Sequence, residues 1–140
     1  MKQAIIFSMM FPGAVNIYYG EEIGLDGGLN NGTRRTMPWS KKSLWKNGIY
    51  DFYRKIIEIR KSSPAVKDGK FFFLKEYEEP LLAFERKNGS GRIACIMNCS
   101  DKPQEAKPVP GKIIMSENTQ TDNGAIFKLL PRGFAIISGE

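Results

Sequence analysis

The stretch Leu81-Leu82-Ala83-Phe84-Glu85-Arg86-Lys87-Asn88-Gly89-Ser90-Gly91-Arg92-Ile93-Ala94-Cys95-Ile96-Met97-Asn98 decides the fold of the second half of this chain. Two apolar runs flank Asn88-Gly89 and Ser90-Gly91, the residue types that supply the positive φ angles of a tight hairpin. The spacing therefore predicts strands over 81–86 and 92–98. In the second of these, Ile93, Cys95 and Met97 face one way and Ala94 and Ile96 the other. A strand apolar on both faces belongs in the middle of a sheet. Working outward, strands are predicted over 70–75, 112–116, 125–130 and 134–138, with a further edge strand near 104–107. Pro103, Pro108 and Pro110 punctuate the intervening loops or edges. Several short strands separated by turns predict a small all-β Greek-key sandwich.

The first half reads differently: helix, turn, strand, long loop, helix. Residues 3–11 are apolar almost all round, as in a helix buried on most sides. Pro12-Gly13 ends it, because proline cannot continue a helix and glycine tolerates a reversal. Met1-Lys2-Gln3 before an apolar run also has the look of a short secretion signal. The buried-helix reading is preferred, because the sequence continues into Val15-Asn16-Ile17-Tyr18-Tyr19 without a small-residue cleavage site. Those five residues, bounded by Gly20, read as a strand. A Gly- and Asn-rich loop follows. From Ile49 the apolar positions Phe52, Tyr53, Ile56, Ile57 and Ile59 keep helical spacing, with Arg60 and Lys61 suited to a helix C-terminus and Pro64 as a stop.

Composition bounds the chemistry. The chain has 140 residues, 41% hydrophobic and 26% charged, with a net charge of +6. This is a globular composition of one domain's length, and it is too short for a complete barrel of eight strand–helix units, which takes about 250 residues. The charge is concentrated in residues 1–66, with 10 Lys/Arg against 5 Asp/Glu; residues 67–140 hold 11 against 10. The absence of histidine removes His-dependent nucleophilic triads, imidazole metal sites and neutral-pH histidine switches. Cys95 and Cys99 would lie about 13 Å apart in a continuous strand, beyond the reach of a disulfide. Two reduced thiols suit a reducing compartment, so a cytoplasmic location is expected.

Three clusters invite chemistry. Glu21 and Glu22 follow a predicted strand, but neighbours in extended chain point to opposite sides, so a helix-start or hydrogen-bonding role is favoured over an acid/base pair. The span from Gly27 to Tyr50 carries Arg34, Arg35, Lys41, Lys42 and Lys46 without an acidic residue, interleaved with Trp39 and Trp45. It admits three readings: a nucleic-acid surface, a sugar-binding surface of aromatic faces and guanidinium donors, or a solvated loop anchored by a buried tryptophan. Asp26-Gly27-Gly28-Leu29-Asn30-Asn31 lacks the alternating oxygens and closing Glu of a calcium loop. No cofactor, no metal, no nucleic acid and no membrane partner is expected.

Taken in order, these motifs resemble a family. The segment Phe11-Pro12-Gly13-Ala14-Val15-Asn16-Ile17-Tyr18-Tyr19-Gly20-Glu21-Glu22-Ile23-Gly24-Leu25 is similar to the one that enters and leaves the eighth barrel strand of the α-amylase family. Arg34-Arg35-Thr36-Met37-Pro38-Trp39 resembles a signature of its neopullulanase, cyclomaltodextrinase and oligo-1,6-glucosidase branches. The helix over 51–61 resembles the last barrel helix, and Leu130-Pro131-Arg132-Gly133-Phe134-Ala135 the final strand of the C-terminal β domain. The resemblance implies an α+β chain: residues 1–66 as the partial end of a (β/α)8 barrel, comprising a helix, strand 8 and the last helix, and residues 67–140 as a C-terminal β-sandwich.

The full enzyme would cleave α-1,4 or α-1,6 glucosidic bonds with retention, using carboxylates on earlier strands, so no residue here is expected to be catalytic. Arg34 matches a residue that contacts sugar hydroxyls, and Asn30 stands where an Asp assists it; Asn keeps an acceptor but loses the charge. Trp39 is expected to pack behind the loop. The expected partners are an α-glucan or maltooligosaccharide, and either the missing barrel segment or another copy of the chain to cover the strand over 15–19. Without that cover the first 20 or so residues are expected to pair with a copy, to refold onto the β domain, or to move. The competing reading is a free-standing carbohydrate-binding or protein-interaction module.

Overall fold

The computed structural model describes residues 1–25 and 36–139, the side chains of Asn47 and Phe127 excepted. It contains three helices, α1 (Lys2–Met10), α2 (Asn47–Ser62) and α3 (Pro64–Asp68). Six strands follow: β1 (Lys70–Phe73), β2 (Leu81–Asn88), β3 (Gly91–Asn98), β4 (Gln104–Glu105), β5 (Lys112–Asp122) and β6 (Ala125–Gly139).

The hairpin read from the sequence is present. Asn88 pairs with Gly91 across Gly89-Ser90, and the register carries Phe84 to Cys95 and Leu81 to Asn98. β3 is central, between β2 and β6, and both its faces are buried. Ile93, Cys95 and Met97 join a cluster with Ile6, Met9, Met10, Phe52, Ile56 and Phe84 from the helical side. Ala94 and Ile96 join a second cluster with Leu129, Ala135 and Ile137. Edge-on ring contacts, Phe7 to Phe84 at 5.5 Å and Phe52 to Phe134 at 5.7 Å, seat α1 and α2 on the sheet. Such pairs add about 0.5–1.5 kcal/mol each beyond the area they bury.

Four expectations change. The β region is one connected antiparallel sheet of order β1-β2-β3-β6-β4, with β5 on β6, where two facing sheets were expected. The reason is β6. It pairs with β3 over Phe134–Gly139 and with β4 at Lys128 and Leu129, and a left-handed Arg132 (φ 58°) lies between the two stretches. β5 pairs with β6 on both sides of Arg132, so the strands stay in one connected sheet. β5 and β6 are also longer than read, because Asn123 (φ 47°) and Gly124 (φ 80°) close a two-residue hairpin, an Asn-Gly signal that the sequence reading passed over. Pro64 does end α2, but it also opens α3 at a position where its missing N–H costs nothing, with the Ser63 hydroxyl accepting from Val66 N. Finally, the strand expected over 15–19 belongs to no ladder: residues 14–18 run without regular secondary structure and Tyr19 already lies in the turn that follows. A strand needs a neighbouring strand for its backbone groups, and the described residues place helices there instead.

α1 lies against the sheet rather than extending away from it. Gln3 Nε2 donates to the carbonyl oxygens of Asn98 (2.8 Å) and Gly133 (3.2 Å), which fixes the helix start to β3 and β6. Among the described residues no helix is long and apolar enough to cross a membrane.

Candidate functional site

The sequence motif over 11–25 builds the approach to the site. After α1 the chain turns at Pro12-Gly13 and runs extended. Val15 and Ile17 point inward and pack on the core shared with the helices, while Asn16 and Tyr18 point out. This is the alternation of a strand, and grooves lie on both of its sides. A cavity of about 250 Å³ separates it from α1 and is lined by Ile5, Met9, Val15, Ile17, Glu21 and Tyr53. A second, of about 460 Å³, separates it from α2 and is lined by Ile17, Tyr19, Glu22, Tyr53 and Ile57. Ile17 and Tyr53 form a wall common to both.

Beyond the extended run, Gly20 adopts φ 92° and starts a 3-10 turn over Glu21–Ile23. A side chain there would be strained by the backbone and would meet Leu25 Cδ2 at 2.9 Å. The Gly20 N–H donates to Glu22 Oε2 (2.7 Å), and the Leu25 N–H returns to Gly20 O (2.8 Å). Glu22 therefore serves the turn, as the sequence favoured. Burial pushes the Tyr53 phenol above its ordinary value, and the negative charges of Glu21 and Glu22 push it in the same direction. It stays neutral in the wall that the two grooves share.

The far side of the loop is tied back by Lys46 N, which donates to Ile23 O (2.9 Å). Trp39, Trp45 and Tyr50 form a row there, with centroid separations of 6.2 and 5.7 Å. The indole N–H of Trp45 donates to Pro38 O (3.3 Å), and Lys42 Nζ lies 5.8 Å from its ring centroid. The expectation for Trp39 is corrected. It is 68% exposed, while Trp45 is half-buried and hydrogen-bonded to the chain.

Arg34 and Asn30, the expected sugar-binding pair, lie outside the described residues, as does the Asp26–Asn31 stretch considered for calcium. Among the described residues no group of three or more Cys, Asp or Glu is placed to hold a metal ion. Two participants escaped the sequence reading. Helical spacing marks Tyr53 only as a core-facing position, yet it bounds both grooves. Arg60 was assigned to the C-terminus of its own helix, yet it donates to the carbonyl oxygens of Met9, Phe11 (3.3 Å) and Gly13 (2.6 Å) at the end of α1. No local signal identifies such a contact.

No family model matches the chain. Comparison with known proteins nevertheless gives a consistent class. A cyclomaltodextrinase of a Bacillus species is 35% identical over 99 residues, which are 70% of this chain and 18% of that enzyme. A maltogenic α-amylase of Bacillus acidopullulyticus is 29% identical over 98% of this chain and 25% of its own length. The solved structure of a debranching enzyme from Nostoc punctiforme superposes with a TM-score of 0.77 at 26% identity, covering 99% of this chain and 30% of that one. Fold and sequence together thus make the chain a homologue of the C-terminal part of α-amylase-family glycoside hydrolases. Within that class its relatives include enzymes named cyclomaltodextrinase, maltogenic α-amylase and neopullulanase. The chain spans a quarter or less of the length of these curated relatives.

Proposed function

We propose that this chain is the C-terminal part of an α-glucan-active glycoside hydrolase that cleaves α-1,4 or α-1,6 glucosidic bonds with retention in the cytoplasm. Residues 1–66 supply the last part of the catalytic barrel and residues 67–140 its C-terminal β domain. The observation that carries this reading is the extended run over 14–18. It has strand alternation, no ladder, and an apolar-lined groove on each side, so it has the form of a strand whose two neighbours come from elsewhere. The occupant proposed is the preceding barrel segment; a second copy of the chain is the other. Arg34 and Asn30, which follow this run in the sequence, contact the sugar. The catalytic carboxylates are supplied by the earlier strands, so the chain by itself hydrolyses nothing.

The test is a turnover assay on the purified 140-residue chain with maltooligosaccharides, pullulan and a nitrophenyl glucoside. No product above a mock purification is expected. Turnover that co-purifies with the chain through two orthogonal columns overturns the proposal. The competing reading, a free-standing carbohydrate-binding module, is favoured by the exposed Trp39. It requires maltooligosaccharide binding by the isolated chain, measured by calorimetry and lost in Trp39→Ala; on the proposal above, isolated-chain binding is weak and responds to Arg34→Ala.

A further inference from the structure

The end of α1 has an unusual electrostatic arrangement. A helix leaves its last carbonyl groups without intrahelical partners and carries partial negative charge there. α1 has no basic residue in its own last turn to answer this. Two guanidinium groups from elsewhere do so. Arg60 of α2 donates to the carbonyl oxygens of Met9, Phe11 and Gly13. Arg86 of β2 donates to Met10 O (3.0 Å) and, through two nitrogens, to Gly69 O (3.0 and 2.8 Å), the residue that ends α3. Arg86 is only 2% exposed, and its contacts are carbonyl oxygens rather than a carboxylate. Burial lowers its pKa, the neighbouring charge of Arg60 adds to the lowering, and the carboxylate of Asp68 works against it, so the two cations sit close enough to feel each other. Arg86 remains protonated at neutral pH.

A buried arginine bound only to carbonyls is costly unless those carbonyls need it. Here every group it touches is at or beside a helix end. The four carbonyls of Met9, Met10, Phe11 and Gly13 belong to the turn that aims the chain into the run over 14–18 and the Glu21–Ile23 turn. The N-terminus of the same helix is fixed to β3 and β6 through Gln3. α1 is thus a strut held to the sheet at one end and clamped by two arginines at the other.

We propose that Arg60 of α2 and Arg86 of β2 form a clamp that sets the position and direction of the segment over 11–25, making both of them positioning residues for that segment. This rests on the reading of the segment as the approach to a sugar site, but the contact it asserts lies wholly within this chain. Arg60 ties the turn to α2, and Arg86 ties it to β2 and α3. The segment is thus held from a helix on one side and from the sheet on the other.

Hydrogen exchange on the 140-residue chain tests the clamp directly. In Arg60→Ala, amides over 11–25 are expected to exchange about tenfold faster, while those of β3 and β6 stay within about twofold of wild type. Guanidinium chloride, added below denaturing concentration, is expected to restore the protection, and sodium chloride at equal concentration is not. A residue that merely fills space would show no such rescue. Arg86→Lys keeps the charge but cannot reach Met10 O and Gly69 O together, and it is expected to loosen 11–13 and 64–69 as a pair. If Arg60→Ala leaves 11–25 unchanged, or raises exchange equally in β3 and β6, or is not rescued by guanidinium, the clamp is overturned. These outcomes are independent of glucan hydrolysis, so failure of the clamp and failure of the functional proposal are separable.

Discussion

The side-chain amide of Asn98 donates to the carbonyl oxygen of Leu130 at 3.0 Å, joining the end of β3 to β6 just before the left-handed Arg132. Asn98 is fully buried, and the same nitrogen also reaches the carbonyls of Lys102 (2.7 Å) and Leu129 (3.1 Å). Its oxygen accepts from the Ser100 backbone (2.9 Å) and hydroxyl (2.8 Å). Among the described residues no buried side-chain polar atom lacks a partner, and this network is a main reason.

Replacing Asn98 should therefore be expensive. Asn98→Leu leaves three carbonyls and the Ser100 N–H without their partner, and a loss of about 2–4 kcal/mol is expected. Asn98→Asp should lose more at neutral pH, because it directs a carboxylate at three carbonyl oxygens. Urea denaturation followed by circular dichroism measures both. A midpoint unchanged within error for either variant would contradict the role given to this side chain.

Gly133 directly follows Arg132. A Cβ built there falls 2.2 Å from Asn118 O and 2.9 Å from Leu130 O, both backbone atoms that cannot swing aside. Gly133→Ala must displace β5 from β6 and is expected to cost about 2 kcal/mol or more. Gly89→Ala, in open space at the β2–β3 turn, is the control and should cost less. Thermal melts of the two variants should rank in that order.

The two thiols should behave differently. Cys95 is buried and Cys99 exposed, so a thiol reagent is expected to label one cysteine quickly and the other only on unfolding. Burial pushes the Cys95 thiol far above its ordinary range. A group whose pKa is higher in the folded state stabilises the fold below its unfolded pKa and loses that contribution as pH rises. Stability should accordingly fall above about pH 8.5, at up to about 1.4 kcal/mol per pH unit from this group. Tyr53 and Tyr77, both raised by burial, add to the fall above about pH 10. In Cys95→Ala the slope between those two pH values should flatten, whatever the mutation does to absolute stability; an unchanged slope in urea titrations would count against the assignment.

Much of the architecture was written locally. The alternation through Ile93–Met97, the Gly89-Ser90 turn and the helical spacing from Ile49 to Ile59 each lie within a few residues, and backbone geometry translates such patterns directly into a strand, a hairpin and a helix face. Motif order pointed to the α-amylase family for the same reason, since it too is contiguous text. The joins were decided by tertiary structure. That Arg60 and Arg86 answer the carbonyls of α1, that Asn98 reaches Leu130, and that β6 pairs with β3, β4 and β5 in a single sheet all depend on groups brought together across many residues. Hydrogen bonding and burial select such neighbours in space, and the pattern of adjacent residues carries no record of which of them will meet.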